Sequence, residues 1–202
     1  MTRPFVIGVT GPIASGKSAV TRRLAEHGAV VLDADLVYRD LVKPGMALTS
    51  QLAERFGAGI LADDGGLNRR ALGAIVFSDQ QALADLDRLT HPAIIAEIGR
   101  RLETIDASLA VIEAVKLSRG TAKYCDETWL VTVDPEQQLE RLMARNGIDR
   151  ADAERRIASQ MDYDPATYTR VIPNNESLDA LRERVDAALA LARPACASQT
   201  DG

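Results

Sequence analysis

The chain has 202 residues, 24 basic and 29 acidic, for a net charge of −5; the length suits one α/β domain with insertions, and the charge argues against a general binder of nucleic acid or membrane surfaces. Cys125 and Cys196 have neither metal-site nor disulfide-framework spacing and read as reduced thiols of a cytosolic protein. No stretch approaches the roughly 18 apolar residues of a membrane helix, and no secretory signal is visible, so the expected location is cytoplasmic.

Pro4–Thr10 reads as a buried strand, and Ser18–Glu26, apolar at Val20, Leu24 and Ala25, as a helix. Between them Gly11–Ser18, GPIASGKS, fits G-x-x-x-x-G-K-[ST] at every fixed position, in the strand–loop–helix context the motif requires. Successive N–H groups of such a loop form an anion-binding concavity at a helix N-terminus, where the helix dipole also favours negative charge. The loop therefore predicts a triphosphate site over Gly11, Ile13, Ala14, Ser15, Gly16, Lys17, Ser18 and Ala19. Lys17 is expected at the β- and γ-phosphates and Ser18 on Mg²⁺. Pro12 contributes no N–H.

Ala29–Leu32 reads as a second buried strand, ending in Asp33-Ala34-Asp35 at the edge where parallel sheets bind ligands. Asp35 is expected to cap a helix beginning near Leu36; Asp33 is the catalytic candidate. From Leu36 to about Ile105 the pattern is helical, broken at Pro44-Gly45 and at 62–66, with a long helix over Gln80–Leu102 that should kink or restart at Pro92. Leu109–Val115 reads as a third strand. Its Glu113 is either a Walker-B-like acid, holding Mg²⁺ through water, or a plain strand-end carboxylate.

Thr128–Val133 is a fourth strand, and Asp134-Pro135 then opens a helix. Glu136–Gln160 reads as two helices broken at Asn146-Gly147. Residues 137–160 hold five arginines (141, 145, 150, 155, 156) and four acids, a pattern that fits a phosphate-clamping lid or a solvated hairpin equally well. Thr169–Pro173 is a short fifth strand and Ser177–Leu191 an amphipathic final helix.

In this order the motifs resemble the dephospho-coenzyme A kinase family. The anchors are Val9-Thr10-Gly11 with GPIASGKS, Val31–Asp35, Leu67–Leu72, Leu89–Pro92, Gln138–Arg141 with Arg145, Arg156–Gln160 and Val171–Asn175, within about residues 4–190. The resemblance implies a P-loop kinase fold with a five-stranded parallel sheet flanked by helices. It assigns residues 1–35, 106–136 and 161–192 to the nucleotide-binding core, 36–105 to a helical acceptor-binding lobe, 137–160 to a lid and 193–202 to a flexible tail.

It implies ATP-dependent phosphorylation of the ribose 3′-hydroxyl of dephospho-coenzyme A, with Mg²⁺, and no nucleic-acid or membrane partner. Asp33 would accept the hydroxyl proton, and Arg69, Arg70, His91 and Glu113 would serve the acceptor. Lys17 and Arg141 would be catalytic, Arg145 would act on ATP phosphates and Asn174 would sit near the adenine. Pro12 and Ala14 replace usual glycines, Val115-Lys116-Leu117 a usual Pro-Leu-Leu, and Pro173 a usual Asp. A kinase of another small acceptor, or a nucleotide-dependent switch, is the competing reading, and the sequence leaves the oligomeric state open.

Overall fold

The computed structural model describes residues 3–160 and 162–192; the expected tail 193–202, with Cys196, lies outside them. In chain order the elements are β1 (Phe5–Thr10), α1 (Lys17–Glu26), β2 (Val30–Asp33), α2 (Ala34–Leu41), α3 (Ala47–Phe56), α4 (Arg69–Val76), α5 (Gln80–Glu103), β3 (Leu109–Glu113), α6 (Arg119–Ala122), β4 (Glu127–Thr132), α7 (Pro135–Asn146), α8 (Arg150–Ala158), β5 (Arg170–Pro173) and α9 (Leu178–Ala192). By contacts the chain divides into two compact units, Met1–Leu32 with Ile105–Gly202, and Asp33–Thr104.

The five strands form one sheet in the order β2-β3-β1-β4-β5. Strand β1 pairs in parallel with β3, from Phe5↔Leu109 to Val9↔Glu113, and with β4, from Ile7↔Glu127 to Thr10↔Leu130. A central parallel strand is covered on both faces, which is why β1 is an unbroken apolar run rather than an alternating one. Ile7, Val9, Val111, Trp129 and Val131 pack with Val20 and Leu24 of α1 and with Leu181, Val185 and Leu189 of α9; each such side chain contributes about 1.5–3 kcal/mol. The unit Asp33–Thr104 has its own apolar centre, including Val42, Leu52, Ile60, Leu72 and Val76. Among the described residues no helix is long and apolar enough to cross a membrane.

Three local readings are corrected by the structure. The cap of α2 is Asp33, not Asp35: its Oδ1 accepts from the N–H groups of Asp35 (2.8 Å) and Leu36 (3.3 Å), and the helix starts at Ala34. Helix α5 neither stops nor restarts at Pro92 but runs through it for 24 residues. Burial on both sides, Ala82, Asp85 and Thr90 before the proline and Ile98, Gly99 and Leu102 after it, holds the two halves in one helix despite the lost N–H. Strand β3 ends at Glu113 because the carbonyl of Val115 turns to side chains instead, accepting from the Thr10 (2.8 Å) and Tyr163 (2.7 Å) hydroxyls. The short helix α6, capped by Ser118, is too brief to leave a periodic signal.

Candidate active site

The site in the larger unit is made first by backbone shape. Leaving β1, the loop places Gly11, Ala14 and Gly16 at φ of 151°, 60° and 94°. Glycine is required at two of these for a second reason. A Cβ on Gly11 would lie 2.3 Å from the Val131 carbonyl, and one on Gly16 would lie 2.2 Å from the Asn174 Nδ2. Ala14 takes a left-handed conformation that costs an L-residue about 1–2 kcal/mol, so the alanine in a usual glycine position keeps the loop's shape under strain. Its side chain packs with Ile13 against the cluster of Leu139, Leu142 and Ala153, which offsets part of that cost.

Gly16 stands at the N-cap of α1, where no side chain accepts from the first turn. The helix start is therefore left with donors for an anion. Beside it lies the only buried side-chain oxygen or nitrogen without a partner among the described residues, the Ser15 hydroxyl. An orphaned buried group of this kind costs about 1–3 kcal/mol, and in an anion cradle a ligand relieves it.

Lys17 curls back over the loop, its Nζ donating to the carbonyls of Gly11 (2.8 Å) and Pro12 (3.1 Å). The Ser18 hydroxyl donates to Glu113 Oε1 (2.9 Å), and the Thr21 hydroxyl, one turn further along α1, donates to Glu113 Oε2 (2.7 Å). A hydroxyl and a carboxylate so placed are hard oxygen donors, the set Mg²⁺ prefers. No group of three or more His, Cys, Asp or Glu among the described residues could hold a metal ion.

The outer side of the loop is tied down by carboxamides. Gln138 of α7 donates to the Ile13 carbonyl and Gln160 accepts from the Ile13 N–H, each at 2.9 Å. Asn174 is buried, donating to the Ser15 carbonyl at 2.8 Å, so the structure turns this residue toward the loop backbone.

The arginines of the α7–α8 hairpin fall into two sets. Arg150 pairs with Glu136 and Glu154, both at 2.9 Å, and Arg155 with Asp152. Arg141 donates only to Gln137 (3.2 Å) and Arg145 to Asn146 (3.0 Å). Neither they nor Arg156 make an ion pair among the described residues. Beside the hairpin a cavity of about 560 Å³ is lined in part by Pro12, Thr132, Gln138, Gln160 and Tyr163. Cys125 is half-buried and its thiol is pushed up to about 12, by desolvation first and then by Asp126, which disfavours the reactive thiolate.

Of the acceptor candidates, Asp33, Arg69, Arg70 and His91 belong to the unit Asp33–Thr104, and Glu113 to the other unit. Asn68 caps α4 through the Ala71 N–H (3.1 Å), leaving Arg69 and Arg70 exposed on its first turn. Half-buried Tyr38 feels the charge of Arg69, though burial dominates and raises its hydroxyl pKa. His91 is exposed on α5, its Nε2 3.7 Å from the Asp87 carboxylate. Sequence reasoning missed Thr21 and the bonding of the two glutamines. Thr21 left a signal in its i+3 spacing from Ser18, which puts both hydroxyls on one helical face, and Gln138 and Gln160 stand among the motif positions that carry the family resemblance.

A family model described as dephospho-CoA kinase matches residues 5–180. The chain is similar to the dephospho-CoA kinase of Symbiobacterium thermophilum, with 42% identity over 200 residues, covering 96% of this chain and 82% of that one. The solved structure of TT1252 from Thermus thermophilus superposes with a TM-score of 0.78 at 32% identity, over 94% of this chain and 98% of that one. The dephospho-CoA kinase of Campylobacter jejuni shares the fold, with a TM-score of 0.62 at 22% identity over 92% and 95% of the two chains. Matched over most of its length by that family's model, and by so similar a relative, the chain belongs to the dephospho-CoA kinase family.

Proposed function

We propose that the chain carries out its family's reaction, phosphoryl transfer from ATP to dephospho-coenzyme A, with the phosphate loop as the nucleotide cradle and Asp33 as the group that orients the ribose 3′-hydroxyl and takes its proton. The observation that carries this reading is the loop itself, bent at Gly11, Ala14 and Gly16 and feeding a helix start with no side-chain cap. Backbone N–H groups there bind phosphate without reorganising, the kind of prepaid electrostatics that lowers a phosphoryl-transfer barrier.

Lys17 exchanges its two loop carbonyls for β- and γ-phosphate oxygens. Ser18 and Glu113 are the residues that would hold Mg²⁺, which when bound neutralises charge on those oxygens. Arg141 and Arg145, which have no carboxylate partner among the described residues, serve the transferring phosphoryl group. Arg69, Arg70 and His91 bind the anionic acceptor. Asp33 can both cap and catalyse, because its two cap bonds share Oδ1 and Oδ2 is left for a substrate hydroxyl.

That division makes Asp33→Asn a clean test. Asparagine caps a helix as well as aspartate does, so stability and ATP affinity should stay near wild type. Turnover with dephospho-coenzyme A should fall about 10²–10⁴-fold, the range for losing a general base. Steady-state kinetics with a thermal melt decide it, and an Asn variant with undiminished turnover removes Asp33 from the chemistry.

A further inference from the structure

The loop leaves N–H groups at the start of α1; at Ile13 and Ser15 its backbone is bound by neutral amides from elsewhere in the chain. Gln138 lies on α7, Gln160 two residues beyond α8 and Asn174 immediately after β5. They reach Ile13 and Ser15 at 2.8–2.9 Å. Their orientations are forced by what they meet: a carbonyl can only accept, so Gln138 and Asn174 present nitrogen to it, and an N–H can only donate, so Gln160 presents oxygen. Ile13 thus has both backbone groups bracketed by one helical hairpin, and its side chain sits in the apolar cluster of that hairpin.

Charged residues could make the same bonds. A lysine or arginine could donate to the carbonyls, and a glutamate could accept from Ile13 more strongly than glutamine does. Either would alter the field of the cradle. A cation held behind the loop would draw anions of any kind to the cradle, and a carboxylate would repel the triphosphate, an effect that salt screens in part. A carboxamide satisfies a backbone carbonyl or N–H without adding charge.

We propose that Gln138, Gln160 and Asn174 are positioning residues of the nucleotide site, which set the loop in its anion-ready shape before ATP arrives and must be uncharged to do so. Gln138 is one helical turn before Arg141, so the bracket on Ile13 also sets where that guanidinium stands. The proposal rests on reading the loop as the ATP cradle. It does not depend on the identity of the acceptor.

The test measures equilibrium binding of ATP with Mg²⁺ to the full chain, with no acceptor present, for wild type, Gln160→Glu, Gln160→Ala, Gln138→Ala and Asn174→Asp. Melting curves and kinetics with dephospho-coenzyme A accompany it. Gln160→Glu keeps the bond to the Ile13 N–H, so its melting temperature should match or exceed wild type. Its ATP affinity should nevertheless fall about tenfold at low salt, with the gap narrowing in 0.5 M salt, as expected for like charges near a phosphate chain. KM for ATP should rise with it, while kcat stays within about twofold, the pattern of lost binding rather than lost chemistry.

Each alanine variant should bind ATP about three- to tenfold more weakly, the cost of one lost positioning bond. Asn174→Asp loses its donor as well as gaining charge and should be the weakest binder that folds. Wild-type ATP affinity in Gln160→Glu would overturn the requirement for neutrality. Wild-type affinity in both alanine variants would overturn the positioning role. A wild-type chain that bound ATP but ignored dephospho-coenzyme A would end the acceptor assignment, and the binding series would still decide this proposal. A wild-type chain that bound no ATP would end both.

Discussion

The phosphate loop and the acceptor residues of the helical unit store their chemistry differently. In the loop, recognition lies in the backbone. Gly11 and Gly16 have no room for a Cβ, Ala14 is held left-handed, and the Ile13 and Ser15 carbonyls and the Ile13 N–H are bound by side chains from elsewhere. In the helical unit it lies in the side chains: Arg69, Arg70 and His91 are exposed on ordinary helices above a separate apolar core. A backbone site should fail when a methyl group is added. A side-chain site should tolerate the same change a few residues away.

The largest expected effect comes from making that change in the loop. In Gly16→Ala the new Cβ would meet the Asn174 Nδ2 at 2.2 Å, at a residue with φ of 94°. Asn174 is buried and bonded to the Ser15 carbonyl, so it has nowhere to swing. The left-handed cost alone is about 1–2 kcal/mol, and the displaced amide adds to it. ATP binding followed by calorimetry should weaken by at least about 10²-fold, with circular dichroism showing the fold retained. Near-normal binding would mean the loop is looser than its geometry states.

The matching change in the helical unit should have the opposite sign. Gly73 lies inside α4, where an added Cβ would be 3.4 Å from the ring of Phe77, a side chain 88% exposed and free to give way. Alanine in a helix interior is better than glycine by about 0.5–1 kcal/mol. Gly73→Ala should therefore raise the melting temperature by about 2–4 °C and leave ATP affinity alone. A loss of ATP affinity would show that the two kinds of site are not as separable as the comparison holds.

The same contrast explains what could be read from the residues in advance. The loop was legible because backbone recognition restricts residue type: only certain glycines, a lysine and a serine at set intervals make the cradle, and the strand and helix around it repeat at their own periods. Asp33 was legible as a strand-end carboxylate, yet its capping role fell to Asp35 in the reading because helix onset is uncertain by a residue or more. Pro92 does not restart α5, because burial on both sides keeps the helix continuous and local propensity cannot register that burial. Gln138 and Gln160 stand among the anchors of the resemblance, yet their bonds to Ile13, like that of Thr21 to Glu113, belong to tertiary structure that no local period records. The hairpin arginines, ambiguous by charge count, became sortable only once Arg150 and Arg155 could be seen spent on nearby carboxylates.

The smallest expected effect separates the regions by acid. The helical unit relies on ion pairs: Glu97 binds Arg100 and Arg101, and Arg101 in turn reaches Asp40 at 2.9 Å, joining α5 to α2. Arg100 foremost, then Arg101, hold the Glu97 carboxyl down at about 2, below the roughly 4.3 of an unfolded glutamate. A carboxyl depressed by folding lends stability above its unfolded pKa and loses it as pH falls toward the folded value, so the loss belongs between about pH 4.5 and 2. Solvent screening of the exposed Arg100 keeps it to about 1 kcal/mol or less. Protection against hydrogen exchange, taken relative to the intrinsic rate at each pH, should thus fall in α5 on acidification before it falls in β1, whose core is apolar. Glu97→Gln should bring part of that loss of protection to neutral pH and flatten its dependence on acid. If α5 and β1 lose protection together at every pH in both proteins, the two units unfold as one and the ionic link on α5 has no separate consequence.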